Sequence, residues 1–113
     1  MTSTEVKDFI FHSAYNTFKI VTTGTAQFNI VHNSTNETTY TIGHGLGYRP
    51  FAIAFCKFPD GYVSGVGGWQ RNGANLWFTN LRVTSTNLVF CFFNSTGSTQ
   101  TVTVRYYLVE APV

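Results

Sequence analysis

Thr101-Val102-Thr103-Val104-Arg105-Tyr106-Tyr107-Leu108-Val109 alternates residue by residue. Val102, Val104, Tyr106 and Leu108 fall on one side of an extended chain, and Thr101, Thr103, Arg105 and Tyr107 on the other. Successive strand side chains point to opposite faces, so this period of two marks a half-buried β-strand with a polar outer face. Leu88, Phe90 and Phe92 repeat the pattern just upstream. Between the two stretches, Ser95-Thr96-Gly97-Ser98 is a cluster of turn formers, so the pair is expected to form a hairpin. Further turns are predicted at Asp60-Gly61, at Asn72-Gly73 and in the polar loop from Asn33 to Glu37. The strands between these turns are expected near 6–12, 18–22, 25–32, 37–42, 51–58, 62–69, 75–83, 87–94 and 100–109. No segment carries the period of an amphipathic helix of useful length. The expected fold class is therefore all-β. It is an antiparallel β-sandwich, jelly-roll or immunoglobulin-like, of about 7–9 short strands in a single domain spanning 1–113.

Composition agrees and narrows the function classes. The 113 residues are 43% hydrophobic and 17% aromatic but only 11% charged, less than half the ~25% usual for soluble domains. Eleven Phe, six Tyr and two Trp supply enough apolar area to exclude intrinsic disorder. Where charge would normally stand, the chain carries 17 Thr, 9 Asn and 7 Ser. The seven basic residues (Lys7, Lys19, Arg49, Lys57, Arg71, Arg82, Arg105) are scattered singly, so no nucleic-acid partner is expected. No apolar run approaches the ~18 residues of a membrane span, so no membrane partner is expected either. Met1 to Asp8 lacks the basic-then-apolar order of a signal peptide, and the expectation is synthesis and folding in a cytoplasm.

No catalytic residue is expected. The acids Glu5, Asp8, Glu37, Asp60 and Glu110 are dispersed, with nothing in their spacing to form the paired carboxylates of a glycosidase. Ser64-Gly65-Val66-Gly67-Gly68 matches neither a phosphate loop nor a dinucleotide fingerprint, because no helix follows it. Cys56 and Cys91 sit within apolar runs and read as reduced, buried thiols, a disulfide requiring that their strands be neighbours. With three dispersed histidines they lack zinc spacing, so neither a metal nor a cofactor is expected.

The most distinctive stretch is His44-Gly45-Leu46-Gly47-Tyr48-Arg49-Pro50, followed by the apolar run Phe51-Ala52-Ile53-Ala54-Phe55. With Gly43 just before it, three glycines within five residues (Gly43, Gly45 and Gly47) allow a tight loop, and Pro50 biases Arg49 toward extension into a central strand. Leu46 and Tyr48 are expected to plug one end of the sandwich. His44 is expected to be a neutral imidazole that bonds loop backbone and holds the turn, with ligand binding as the alternative role.

This string resembles the His-x-Leu-Gly-Tyr-x-Pro motif of small β-domains encoded by tailed bacteriophages, which are virion proteins or pieces of fibres. Phe11-His12-Ser13-Ala14-Tyr15 with Phe18-Lys19-Ile20 is similar to the opening of such domains, and Arg105-Tyr106-Tyr107-Leu108-Val109 to their aromatic last strand. The resemblance implies a virion location and a structural role for His44, Gly45, Leu46, Gly47, Tyr48 and Pro50. Its size suits a capsid decoration or cement protein, contacting major capsid or tail proteins and copies of itself. The alternative is a tail or head-fibre tip that binds host-surface glycan or receptor. Trp69, Arg71, Asn72 and Trp77 would then supply an aromatic platform and polar donors. Otherwise Trp69 and Trp77 are expected to fill the core or a subunit interface. A secreted lectin-like module would use the sequons at Asn33, Asn36 and Asn94, but without an export signal these read as chance matches.

Overall fold

The computed structural model describes residues 19–70 and 75–110. Seven β-strands run through them: β1 Lys19–Ile30, β2 Thr38–Gly43, β3 Phe51–Lys57, β4 Val63–Ser64, β5 Leu76–Val83, β6 Asn87–Asn94 and β7 Gln100–Glu110. They form two antiparallel sheets, ordered β1-β7-β3-β4 and β2-β6-β5, stacked as a β-sandwich. β1 pairs with β7 and β2 with β6, so the chain is rolled up from both ends. This nesting is that of a jelly roll; the immunoglobulin order places the first strand beside the second.

The alternation read in the sequence decides what each face carries. Val102, Val104 and Leu108 of β7 point inward, against Leu88, Phe90 and Phe92 of β6 and Leu76 and Phe78 of β5. The rings interlock: Phe78 stacks on Phe92 at 5.0 Å between centroids, and Phe28 of β1 bridges to Phe90 at 5.3 Å. β3 complements this bulk with small residues. Its inner face holds Ala52, Ala54 and Cys56, which leave space for the phenyl rings of the facing sheet.

Three expectations change. The strands expected at 18–22 and 25–32 are one continuous β1, because Gly24 does not break it. The ring of Tyr106, directly opposite on β7, lies over Gly24 where a Cβ would stand. The strand expected at 62–69 shrinks to Val63–Ser64. Beyond it Gly65-Val66-Gly67-Gly68 makes a turn closed by Gly68 N–H donating to the Gly65 carbonyl, with Gly67 at φ +91°.

The third correction is topological. β6 and β7 are not a hairpin, since they lie in different sheets and residues 95–99 arch from one to the other. The cause is Asn94, buried at the corner. Its amide nitrogen donates to the carbonyls of Ile30 and Ser98, and its oxygen accepts from Thr96 N–H and hydroxyl. An isolated turn cannot bind Ile30 of the other sheet. The Asp60-Gly61 turn forms as expected, with Gly61 N–H donating to the Phe58 carbonyl and Gly61 at φ +88°. The strand expected at 6–12 and the Asn72-Gly73 turn lie outside the described residues.

Candidate functional site

The His44–Pro50 loop is a structural fastener. His44 N–H donates to the Thr86 carbonyl at 3.0 Å, and its Nε2 lies 2.8 Å from the Thr84 carbonyl. Leu46 N–H donates to Nδ1 at 3.1 Å. A carbonyl can only accept, so Nε2 carries the proton and Nδ1 the lone pair: the imidazole is neutral, in one tautomer. Nε2 pins the loop to the β5–β6 turn, and Nδ1 holds Leu46 within the loop itself. Gly45 and Gly47 adopt φ values of +69° and +74°, which this tight path requires. Leu46 packs against the core and Pro50 is buried, whereas Tyr48 stays exposed and reaches Glu110 at 3.4 Å. Of the two residues expected to plug that end, Leu46 packs against the core and Tyr48 does not.

The two tryptophans are not core residues. Trp69 and Trp77 are 48% and 42% exposed, paired across an isolated bridge with ring centroids 6.1 Å apart and planes tilted by 42°. Their neighbour in the chain explains the placement. Leu76 and Phe78 point into the core, so Trp77 between them points out. The segment carrying Trp69 is laced to the edge of β5: Gly67 N–H donates to Phe78 O, Phe78 N–H to Gly68 O, and Gln70 N–H to Leu76 O. Phe93, opposite Trp77 on β6, extends the row.

Beside Trp69 opens a cleft of about 600 Å³ lined by Tyr62, Ser64, Val66, Gly67, Gly68 and Trp69. Gly68 is obligatory there, because a Cβ would stand on the Ser64 hydroxyl. Gln70 is not among the residues lining it, and its Oε1 is buried without a hydrogen-bond partner among the described residues. Arg71 and Asn72, the other polar groups expected at a ligand site, lie outside the described residues.

The acids of the described residues serve separate local ends. Glu37 accepts from the Thr79 hydroxyl, Asp60 caps Tyr62 N–H, and Glu110 accepts from Tyr48. Both thiols are free and buried, on different sheets. Cys56 faces the core and burial pushes its pKa up to about 12. Cys91 lies on the opposite side of β6 from Phe90 and Phe92, beneath Arg82, and burial with the Glu37 carboxylate raises its pKa. The two cannot form a disulfide.

One surface escaped the sequence reading. The outer face of the β1-β7-β3-β4 sheet exposes Phe51, Ile53 and Phe55, at 53%, 43% and 44%. Register places Ile20, Val109 and Phe51 in one row, Thr23, Tyr107 and Ile53 in the next, and Thr25, Arg105 and Phe55 in a third. Phe55 meets Tyr107 edge to face at 6.4 Å. The continuous apolar run from Phe51 to Cys56 reads as a strand buried on both faces. The legible signal was size: large residues alternate with Ala, Ala and Cys, and the small ones went inward.

No protein-family model, curated protein or solved structure matches the chain.

Proposed function

We propose that the protein is a non-enzymatic structural component of a bacteriophage virion, decorating the capsid. The observation that carries this reading is the outer face of the β1-β7-β3-β4 sheet. Three large apolar side chains of β3 and the Tyr107 ring stand there among threonines, with Arg105 and Lys57 at one end. Contiguous exposed apolar surface of this kind marks a protein–protein contact. The surrounding hydroxyls cost less to desolvate than charged groups would, which suits a lasting contact repeated many times over a lattice. The motif from His44 to Pro50 supplies the virion context by resemblance, and its bonds to the β5–β6 turn support a structural role for it. On this reading the partners are the major capsid protein and further copies of the chain.

The test is co-sedimentation of the purified chain with expanded empty heads that lack it. Saturable binding supports decoration. Failure to sediment with any head form rejects it, and a stable free trimer located at a tail or fibre in a virion reconstruction moves the protein to a fibre tip.

A further inference from the structure

The aromatic row lies on the outer face of the β2-β6-β5 sheet, on the opposite side of the sandwich from the apolar rows of β3. The backbone carrying Trp69 and Trp77 is held by bonds on both sides of the bridge, so the two rings are presented from an ordered segment and binding orders little main chain. Their centroids are 6.1 Å apart. A planar group inserted between two rings needs about 7 Å, twice the ~3.5 Å contact distance of carbon atoms. Nothing fits between them. The indoles therefore form an adjoining aromatic pair that a ligand covers from outside, their planes set at 42° to each other.

The cleft beside Trp69 is lined by Tyr62, Ser64, Val66, Gly67 and Gly68, and among the described residues none of its lining side chains carries a charge. Single-stranded nucleic acid also stacks on aromatic rings, but it requires a basic groove for its backbone. An uncharged ligand with one apolar face and a rim of hydrogen-bonding groups matches both halves of the site. A pyranose ring has that chemistry: axial C–H groups over one face, hydroxyls around the edge.

We propose that this site binds an uncharged saccharide, one ring lying across Trp69 and Trp77 with its hydroxyls turned toward Tyr62 and Ser64. The site is independent of the capsid-facing surface, so a decoration protein would present it outward from the virion.

The full chain is applied to an array of neutral and anionic oligosaccharides, and the strongest neutral hit is titrated by calorimetry, which reads the parent and every tryptophan variant alike. A saturable binding heat is expected. Trp69→Ala and Trp77→Ala should each weaken binding about ten-fold or more, with an unchanged thermal midpoint, since each ring contributes one stacking contact. Trp69→Phe, which keeps a ring on the same backbone, should retain most of the affinity and so separates lost stacking from a collapsed loop. An array with no neutral hit, binding confined to anionic glycans, or undiminished affinity in the double alanine variant would each overturn the proposal.

Discussion

Single residues hold this fold at its corners through polar side chains that bind distant backbone. His44 is the clearest case, with Nε2 on Thr84 and Nδ1 on Leu46. His44→Ala strips both bonds and leaves a carbonyl and an amide to find water. Stability is expected to fall by about 1–3 kcal/mol in chemical denaturation, with no loss of saccharide or head binding. Unchanged stability with lost binding would make His44 a ligand group instead. Its fastening role was legible, because glycines on either side leave a histidine free to turn back onto the chain. Asn94 was not legible. Its sequence, Asn94-Ser95-Thr96, reads as a turn or a glycan acceptor. The contact that matters, to the Ile30 carbonyl, joins residues far apart in the chain. In the folded chain the Asn94 amide nitrogen is held between the Ile30 and Ser98 carbonyls.

At the scale of the elements, periodicity located strands well and their partners poorly. β2, β3, β5, β6 and β7 fall within a residue or two of the alternating stretches, because alternation reports burial of one face directly. Pairing depends on loop geometry and on cross-strand shape, which a period does not encode. β1 shows this: Gly24 looks like a break, yet it is where the strand makes room for its neighbour. A Cβ at Gly24 would stand 2.2 Å from the ring of Tyr106. Gly24→Ala must therefore push the ring toward Phe90, which it already approaches at 6.3 Å between centroids. The expected cost is about 1–3 kcal/mol, as for other overpacked core sites. In a Tyr106→Leu background the same substitution should cost much less. A double-mutant cycle with no coupling between the two positions would show that the ring is not what Gly24 accommodates.

For the molecule as a whole, the sandwich isolates one ionisable core group and displays one apolar face, and each makes a global property predictable. The Cys56 thiol ionises near 9.0 when exposed and at about 12 in the folded chain, because burial disfavours the thiolate. Unfolding therefore releases a proton between those limits. The contribution to stability is complete below pH 9 and is lost as pH rises toward 12, at a slope of up to about 1.4 kcal/mol per pH unit. Cys56→Ala removes that slope, so denaturation midpoints of the two proteins should converge as pH rises. Parallel curves would place the alkaline loss elsewhere. The apolar face makes the opposite kind of prediction, one in which stability hardly moves. Low charge was plain in the composition, but the placement of the apolar groups was not: Phe51, Ile53 and Phe55 share the outer face with Thr23, Thr25, Thr101 and Thr103. Because the inner face of β3 is small and already packed, these outer rings contribute little to the core. Ile53→Thr with Phe55→Thr places a β-branched strand residue at both positions and matches Thr23 and Thr25 on the same rows. The double variant should unfold within about 1 kcal/mol of the parent, a typical limit for half-exposed positions. Its binding to empty heads should nevertheless fall below detection in the co-sedimentation assay. If the rings instead served the fold, stability would drop with the first substitution and head binding would follow it down in proportion.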